Sequence, residues 1–247
     1  SAETVRKIFS INIGGAATAR INPEDLLALE VGYKYAGPDL SLNLSAYYYD
    51  YKDEQLQQSI LIAGRPATRI TNAASSELYG IDADIAYSLT DDFKVNIGAE
   101  YSHARYKSFP NGPAVAITTN AAGQATSLPP VIIDLSGRPM AKAPDFTANV
   151  GVAYTTDLAD GKLVLSGNLY YTSKFYFDLG AQIDQKAYAL LDLRAEWTDP
   201  SDRYSIAISG KNVTDKEYYI QAATNAVGVA GVYAPPATVE GSFRIKF

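Results

Sequence analysis

The chain is 247 residues long, with 47% hydrophobic residues, 19 tyrosines, one histidine and no cysteine. Its formal charge is -6, and its 21 Lys and Arg residues are scattered singly, so no basic stripe is present and nucleic acid is not an expected partner. Without cysteine there are no disulfides and no thiolate metal ligands, and no stretch approaches the roughly 18 consecutive apolar residues of a membrane helix.

The opening residues Ser1 to Val5 lack the charged and apolar regions of a secretory signal. From there the dominant pattern has a period of two. Nine strands are expected, near 25–35, 40–53, 68–89, 93–106, 144–156, 162–177, 187–198, 204–215 and 236–247. In the second, Leu40, Leu42, Leu44, Ala46 and Tyr48 share one face while Ser41, Asn43, Ser45, Tyr47 and Tyr49 share the other. Successive side chains of a strand point to opposite sides, so this strand is apolar on one side and polar on the other. The third opposes Ile81, Ala83, Ile85 and Tyr87 to Asp82, Asp84 and Ser88. The fourth opposes Phe93, Val95, Ile97, Ala99 and Tyr101 to Lys94, Asn96, Gly98 and Glu100. Similar alternation marks the later strands, ending with Val239, Gly241, Phe243, Ile245 and Phe247 against Glu240, Ser242, Arg244 and Lys246.

Connection lengths alternate. Ala36 to Asp39, Thr90 to Asp92, Asp157 to Gly161 and Asp199 to Arg203 are short and carry Gly, Pro and Asp, the residues of tight turns. The segments 54–67, 107–142, 178–186 and 216–235 are longer, and the Ala-, Pro- and Thr-rich 107–142 reads as a loop. Antiparallel neighbours with all tight turns at one end have the layout of an outer-membrane barrel. A soluble sandwich also alternates, but aromatics close both ends of the apolar faces. Tyr87, Phe93, Tyr154, Trp197, Tyr204 and Phe247 lie near the short turns, and Tyr48, Tyr79, Tyr101 and Tyr171 lie toward the long loops. Eight steps separate Tyr79 from Tyr87 and Phe93 from Tyr101. At a tilt of roughly 40° that is a rise of about 20 Å, close to the apolar band between two aromatic girdles.

The expected fold class is therefore all-β, an antiparallel transmembrane β-barrel touching outer-membrane lipid. Nine strands ending at the short-turn side place residues 1–24 on the long-loop side. A complete bacterial barrel has an even strand number, so further strands are expected N-terminal to Ser1. The alternative is one more strand within 1–24, for which Val5 to Ile13 is the candidate.

Four blocks of residues resemble the C-terminal third of TonB-dependent receptors. The first is Asn22-Pro23-Glu24 followed by Ala28-Leu29-Glu30-Val31-Gly32-Tyr33-Lys34. The second runs from Asn72-Ala73-Ala74 through Glu77-Leu78-Tyr79-Gly80-Ile81-Asp82, and the third is Ser209-Gly210-Lys211-Asn212-Val213-Thr214-Asp215-Lys216-Glu217-Tyr218. The fourth is the terminal strand, whose Phe243, Ile245 and Phe247 resemble the signal such barrels present to their assembly machinery. The resemblance implies a 22-stranded barrel plugged by an N-terminal domain, of which residues 1–247 would be the C-terminal part of the barrel domain, without plug or N-terminal strands. It implies active uptake of a scarce nutrient such as a ferric siderophore. The implied partners are the TonB complex, acting through the plug, and the remainder of the same barrel. A passive, porin-like channel is the alternative.

Candidate ligand contacts are polar and aromatic groups assigned to lumen faces near the long loops: Tyr47, Tyr49, Arg65, Arg69, His103, Arg105, Tyr170 and Tyr176. Arg holds carboxylates or phosphates bidentately, and Tyr stacks while hydrogen-bonding. One histidine builds no His-rich metal site, and no nucleophile, base and orienter set is readable. Neither metal, cofactor nor catalysis is expected. Asp82 and Asp84, with no third acidic partner nearby, read as solvated wall.

Overall fold

The computed structural model describes residues 2–7, 21–62, 65–122, 125–225 and 228–246. Its strands are β1 (Ala2–Lys7), β2 (Glu24–Ala36), β3 (Leu40–Ile62), β4 (Arg65–Ser88), β5 (Phe93–Ser108), β6 (Gly112–Thr119), β7 (Ala125–Ile133) and β8 (Phe146–Leu158). Then come β9 (Gly161–Thr172), β10 (Phe175–Tyr176), β11 (Asp184–Gln185), β12 (Tyr188–Thr198), β13 (Tyr204–Lys211), β14 (Tyr219–Asn225), β15 (Gly228–Tyr233) and β16 (Thr238–Ile245). Ten of them form one antiparallel sheet in the order β1-β2-β3-β4-β5-β8-β9-β12-β13-β16. The other six make three small hairpins at the long-loop end.

All nine expected strands are present, and the sheet holds one more. Ala2–Lys7 pairs with β2 from Leu29 back to Glu24, so the extra strand lies within 1–24 and overlaps, at Val5 to Lys7, the Val5 to Ile13 candidate, the rest of which lies outside the described residues. Residues 2–7 are therefore wall and not part of a long connection. Three connections differ as well. Segment 54–67 continues β3 and β4 as a paired extension out to Ile62 and Arg65. Hairpins β6–β7 and β14–β15 occupy much of 107–142 and 216–235. The strand expected over 162–177 leaves the wall after Thr172, and Phe175 and Tyr176 pair instead with Gln185 and Asp184.

The tight turns follow from local chemistry. Between β8 and β9 a two-residue loop, Ala159 and Asp160, has both residues at positive φ (49° and 62°). That geometry matches the right-handed twist of the flanking strands. Between β12 and β13, Asp199 accepts from the Tyr204 amide at 2.6 Å and from the Ser201 amide at 3.1 Å.

The register keeps every apolar row on one face. Val31, Ile208 and Phe243 are 70%, 58% and 61% exposed there, and no second layer covers them among the described residues. The aromatic rows line up across strands: Tyr48 opposes Tyr79, Phe93 opposes Tyr154, and Tyr101 opposes Phe146. A sheet with an uncovered greasy face is unstable in water and is what lipid contact requires.

The conventional core lies at the long-loop end on the polar face. Tyr106, Phe109, Ala114, Leu135 and Ala74 are buried together, with Leu56, Ile133, Met140 and Leu179 packed around them. Tyr106 and Phe109 meet edge to face at 5.1 Å. Here β5 rises beyond the end of β8, and the returning segment 137–145 satisfies its backbone. The Tyr106 amide donates to Arg138 O (3.0 Å), Met140 N to Ala104 O (3.1 Å) and Ser102 N to Asp145 O (3.0 Å). Unpaired backbone groups are thereby avoided where β5 loses its neighbour.

Candidate ligand-contacting face

The polar face carries three groups of side chains. Midway along β3–β5, Tyr47 lies across Gly80 and donates its hydroxyl to Glu100 Oε1 at 2.7 Å. A β-carbon at Gly80 would collide with that ring and with the Tyr101 carbonyl, so glycine is what lets the tyrosine cross its neighbour. Tyr49 stacks on Tyr47 with ring centroids 5.4 Å apart. Higher on the same strands, Glu54 accepts from Ser76 Oγ at 2.8 Å beneath the buried core. Burial raises the Glu54 pKa above the usual glutamate range; the Ser76 hydrogen bond opposes this and the Glu24 charge reinforces it.

On β9 and β12, Tyr170 and Tyr188 lie 6.2 Å apart, and Tyr188 stacks on Tyr218 at 4.4 Å. Below them Glu196 accepts from Arg194 (3.0 Å) and Arg244 (3.3 Å). Beside that ladder is a hollow of about 500 Å³, lined among others by Asn96, Ser166, Asn168, Asp192, Arg194 and Lys211. Among the described residues no set of three His, Asp or Glu side chains converges to hold a metal.

The long connections are tied to one another over the sheet. Arg138 donates to the Gly180 carbonyl, Lys142 N to Tyr176 O (2.7 Å) and Tyr219 N to Gln185 Oε1 (2.8 Å). Strand β7 lies against β15. The result is a canopy that shares one packed base and is not a set of independent loops.

Residues 6–213 match the family model described as TonB dependent receptor-like, beta-barrel. This chain belongs to that family. No curated protein matches it in sequence. Among solved structures it is similar to the ferric yersiniabactin uptake receptor FyuA from Yersinia pestis, at 20% identity and a TM-score of 0.74. That match covers 99% of this chain and 33% of FyuA. The ferric preacinetobactin receptor BauA from Acinetobacter baumannii gives 19% identity and a TM-score of 0.67, covering 98% and 33%. The ferripyoverdine receptor of the outer membrane of Pseudomonas aeruginosa gives 17% and 0.65, covering 100% and 30%. The chain spans about a third of the length of these receptors.

As part of a TonB-dependent receptor barrel, the sheet has an apolar outer face and a polar lumen face. Tyr47, Tyr49 and Tyr170 lie on the lumen face, as expected. Tyr176 lies in the canopy, with Lys174 Nζ 4.7 Å above its ring. Arg65 and Arg69 sit opposite Ile62 and Gln58 in the β3–β4 extension, and their side chains lie outside the described residues.

The assignment of His103 and Arg105 to the lumen is corrected. His103 opposes Tyr79 and stacks on it at 4.7 Å, on the face that carries Ile81 and Tyr101. Arg105 follows two residues on, opposite Glu77, and pairs with Asp145 at 2.9 Å. Both have the odd parity of Tyr101, so strand alternation points them outward.

The motif blocks fasten strands. The Asn22 amide donates to Asn72 Oδ1 (2.5 Å), while Asn72 Nδ2 donates to Asn22 O (2.9 Å) and to Asp53 O (2.6 Å). The Gln55 amide donates to Glu24 Oε1 at 2.7 Å. The first two blocks thus clasp each other at the positive-φ bulge residue Asp53. In the third block, buried Asn212 exchanges hydrogen bonds with Lys216 O and N at 3.0 and 2.9 Å, closing the end of β13. Glu100, Tyr188 and Tyr218 were not anticipated as partners of the candidate tyrosines. Only the alternation of β5, which puts Glu100 opposite Tyr101, signalled the first of them.

Proposed function

We propose that this chain is the C-terminal part of an outer-membrane receptor that takes up a scarce nutrient, such as a ferric siderophore, with energy delivered through TonB. The rest of the barrel and an N-terminal plug complete the protein, and the plug is the part that meets the TonB complex. Phe243, Ile245 and Phe247 serve as the barrel-assembly signal; the first two lie on the outer face of β16, and Phe247 lies outside the described residues. The observation that carries this reading is a sheet with one uncovered apolar face and one polar face under a tied canopy, in a chain of this family.

Ligand enters from the canopy side and meets Tyr47, Tyr49, Tyr170 and Tyr176 before the lower polar wall. Arg65 and Arg69, on the β3–β4 extension, are further candidate contacts. Stacked tyrosines supply apolar area with a polar rim, which suits a planar chelator. His103 and Arg105 face outward and are withdrawn as contacts.

The test is uptake in cells lacking the full-length gene. A panel of iron-loaded catecholate, hydroxamate and mixed siderophores should include at least one whose accumulation requires both this gene and TonB. A large, steady conductance of the intact protein in a planar bilayer, together with TonB-independent uptake, overturns the receptor reading in favour of the passive channel.

A further inference from the structure

We propose that Tyr219 and Tyr233 form an oxidative cross-linking site, coupling ring to ring into a dityrosine staple across hairpin β14–β15. The two residues face each other at the open end of the hairpin. Their ring centroids are 4.3 Å apart with planes 30° from parallel, and their hydroxyls are in hydrogen-bond contact at 2.6 Å. Other tyrosines stack, including Tyr188 on Tyr218, but among the described residues only this tyrosine pair joins its phenol oxygens.

The pair is held in place. The Tyr219 backbone amide donates to buried Gln185 at 2.8 Å, and its ring lies over Gly231, where a β-carbon would come within 2.6 Å of it. Ala234 N donates to Tyr218 O at 2.9 Å and clamps the hairpin base. Tyr233 is 57% exposed, so an oxidant reaches it without unfolding.

Each phenol loses one electron and one proton, and the two resulting radicals join through a carbon ortho to each hydroxyl. Each ortho hydrogen then leaves its carbon as a proton while the phenol oxygen takes a proton back, which restores both aromatic phenols for a net loss of two hydrogens. With a peroxide as oxidant and a haem peroxidase as catalyst, one peroxide accepts the two electrons and two protons and leaves as two waters. The hydrogen bond between the hydroxyls offers a path for the first proton and keeps the rings together. The new bond closes a loop running from 219 to 233 and restrains that part of the canopy.

The intact receptor, in outer membranes or detergent micelles, is treated with hydrogen peroxide and a haem peroxidase and then digested with trypsin. No Lys or Arg lies between Lys216 and Arg244, so both rings fall on one peptide, 217–244. Coupling removes two hydrogens from that peptide and abolishes fragment ions from cleavage between 219 and 233. Tyr219→Phe and Tyr233→Phe should each lose the product, whereas Tyr218→Phe should keep it. These exchanges remove only a hydroxyl, and unchanged electrophoretic mobility before and after heating shows that each variant is folded. The proposal is overturned if 217–244 keeps its hydrogens while other tyrosines are oxidised, or if the product survives either variant.

Discussion

The wall and the canopy of this protein are stabilised in opposite ways. The wall has almost no interior: Val31, Ile81, Ile208 and Phe243 stay exposed, and the buried apolar side chains on its β13 are as small as Ala207. The canopy is built like a small soluble domain, with Phe109 and Leu135 fully buried and Tyr106 nearly so. One sequence therefore meets two solvents. The wall's apolar rows contribute only when lipid covers them, while the canopy brings its own core out of water.

That difference predicts where damage stays. Phe109→Ala empties the centre of the canopy core and should cost about 3–5 kcal/mol locally. Proteases should then cut within 109–142, while the barrel keeps its heat-modifiable mobility. If the barrel also loses that mobility, wall and canopy are one cooperative unit and the contrast fails.

Ile208→Arg probes the other side. Ile208 is mid-strand on β13 and 58% exposed, so in a soluble protein the change would be nearly neutral. In a bilayer an outward Arg near the midplane costs about 2–4 kcal/mol. Reduced folding into vesicles, measured by denaturant titration, is the expected result. Unimpaired folding would falsify lipid contact by this face.

A smaller effect is expected on the lumen side. Tyr47→Phe removes one hydrogen bond to a carboxylate and should lower stability by about 1 kcal/mol. A double-mutant cycle with Glu100→Gln should show that the two losses are coupled. Additive losses would mean that Tyr47 does not rest on Glu100.

Much of the wall was legible because a period of two survives any register: Leu40 through Tyr48 declares its face without knowledge of its neighbours. Residues beyond the belt were harder to place. His103 and Arg105 share the parity of Tyr101, but proximity to a long loop suggested the lumen, and only the stack on Tyr79 makes their outward direction plain. The β6–β7 and β14–β15 hairpins escaped because Ala-, Thr- and Gly-rich segments carry little apolar alternation. The Tyr170, Tyr188 and Tyr218 group depends on pairing between distant segments, which composition does not encode.

The finest test of the contrast uses pH. Glu54 stands where wall meets canopy, and burial raises its pKa, with the Glu24 charge adding to the effect and the Ser76 hydrogen bond reducing it. A carboxyl whose folded pKa is raised favours the folded state while protonated. Its contribution is complete below the ordinary glutamate value of 4.5 and is lost as pH rises through the raised one. The canopy should therefore be slightly tighter in acid, seen as slower hydrogen exchange at Ser76 and Tyr106 after correction for the intrinsic pH dependence of exchange. The outer rows of the wall, which carry no such group, should not change. Glu54→Gln should hold the acid-like protection at neutral pH, because the neutral amide removes the buried charge. Faster exchange of this variant at neutral pH, with exchange in acid unchanged, would instead show that the charged carboxylate, through its bond to Ser76, is what anchors the canopy to the barrel.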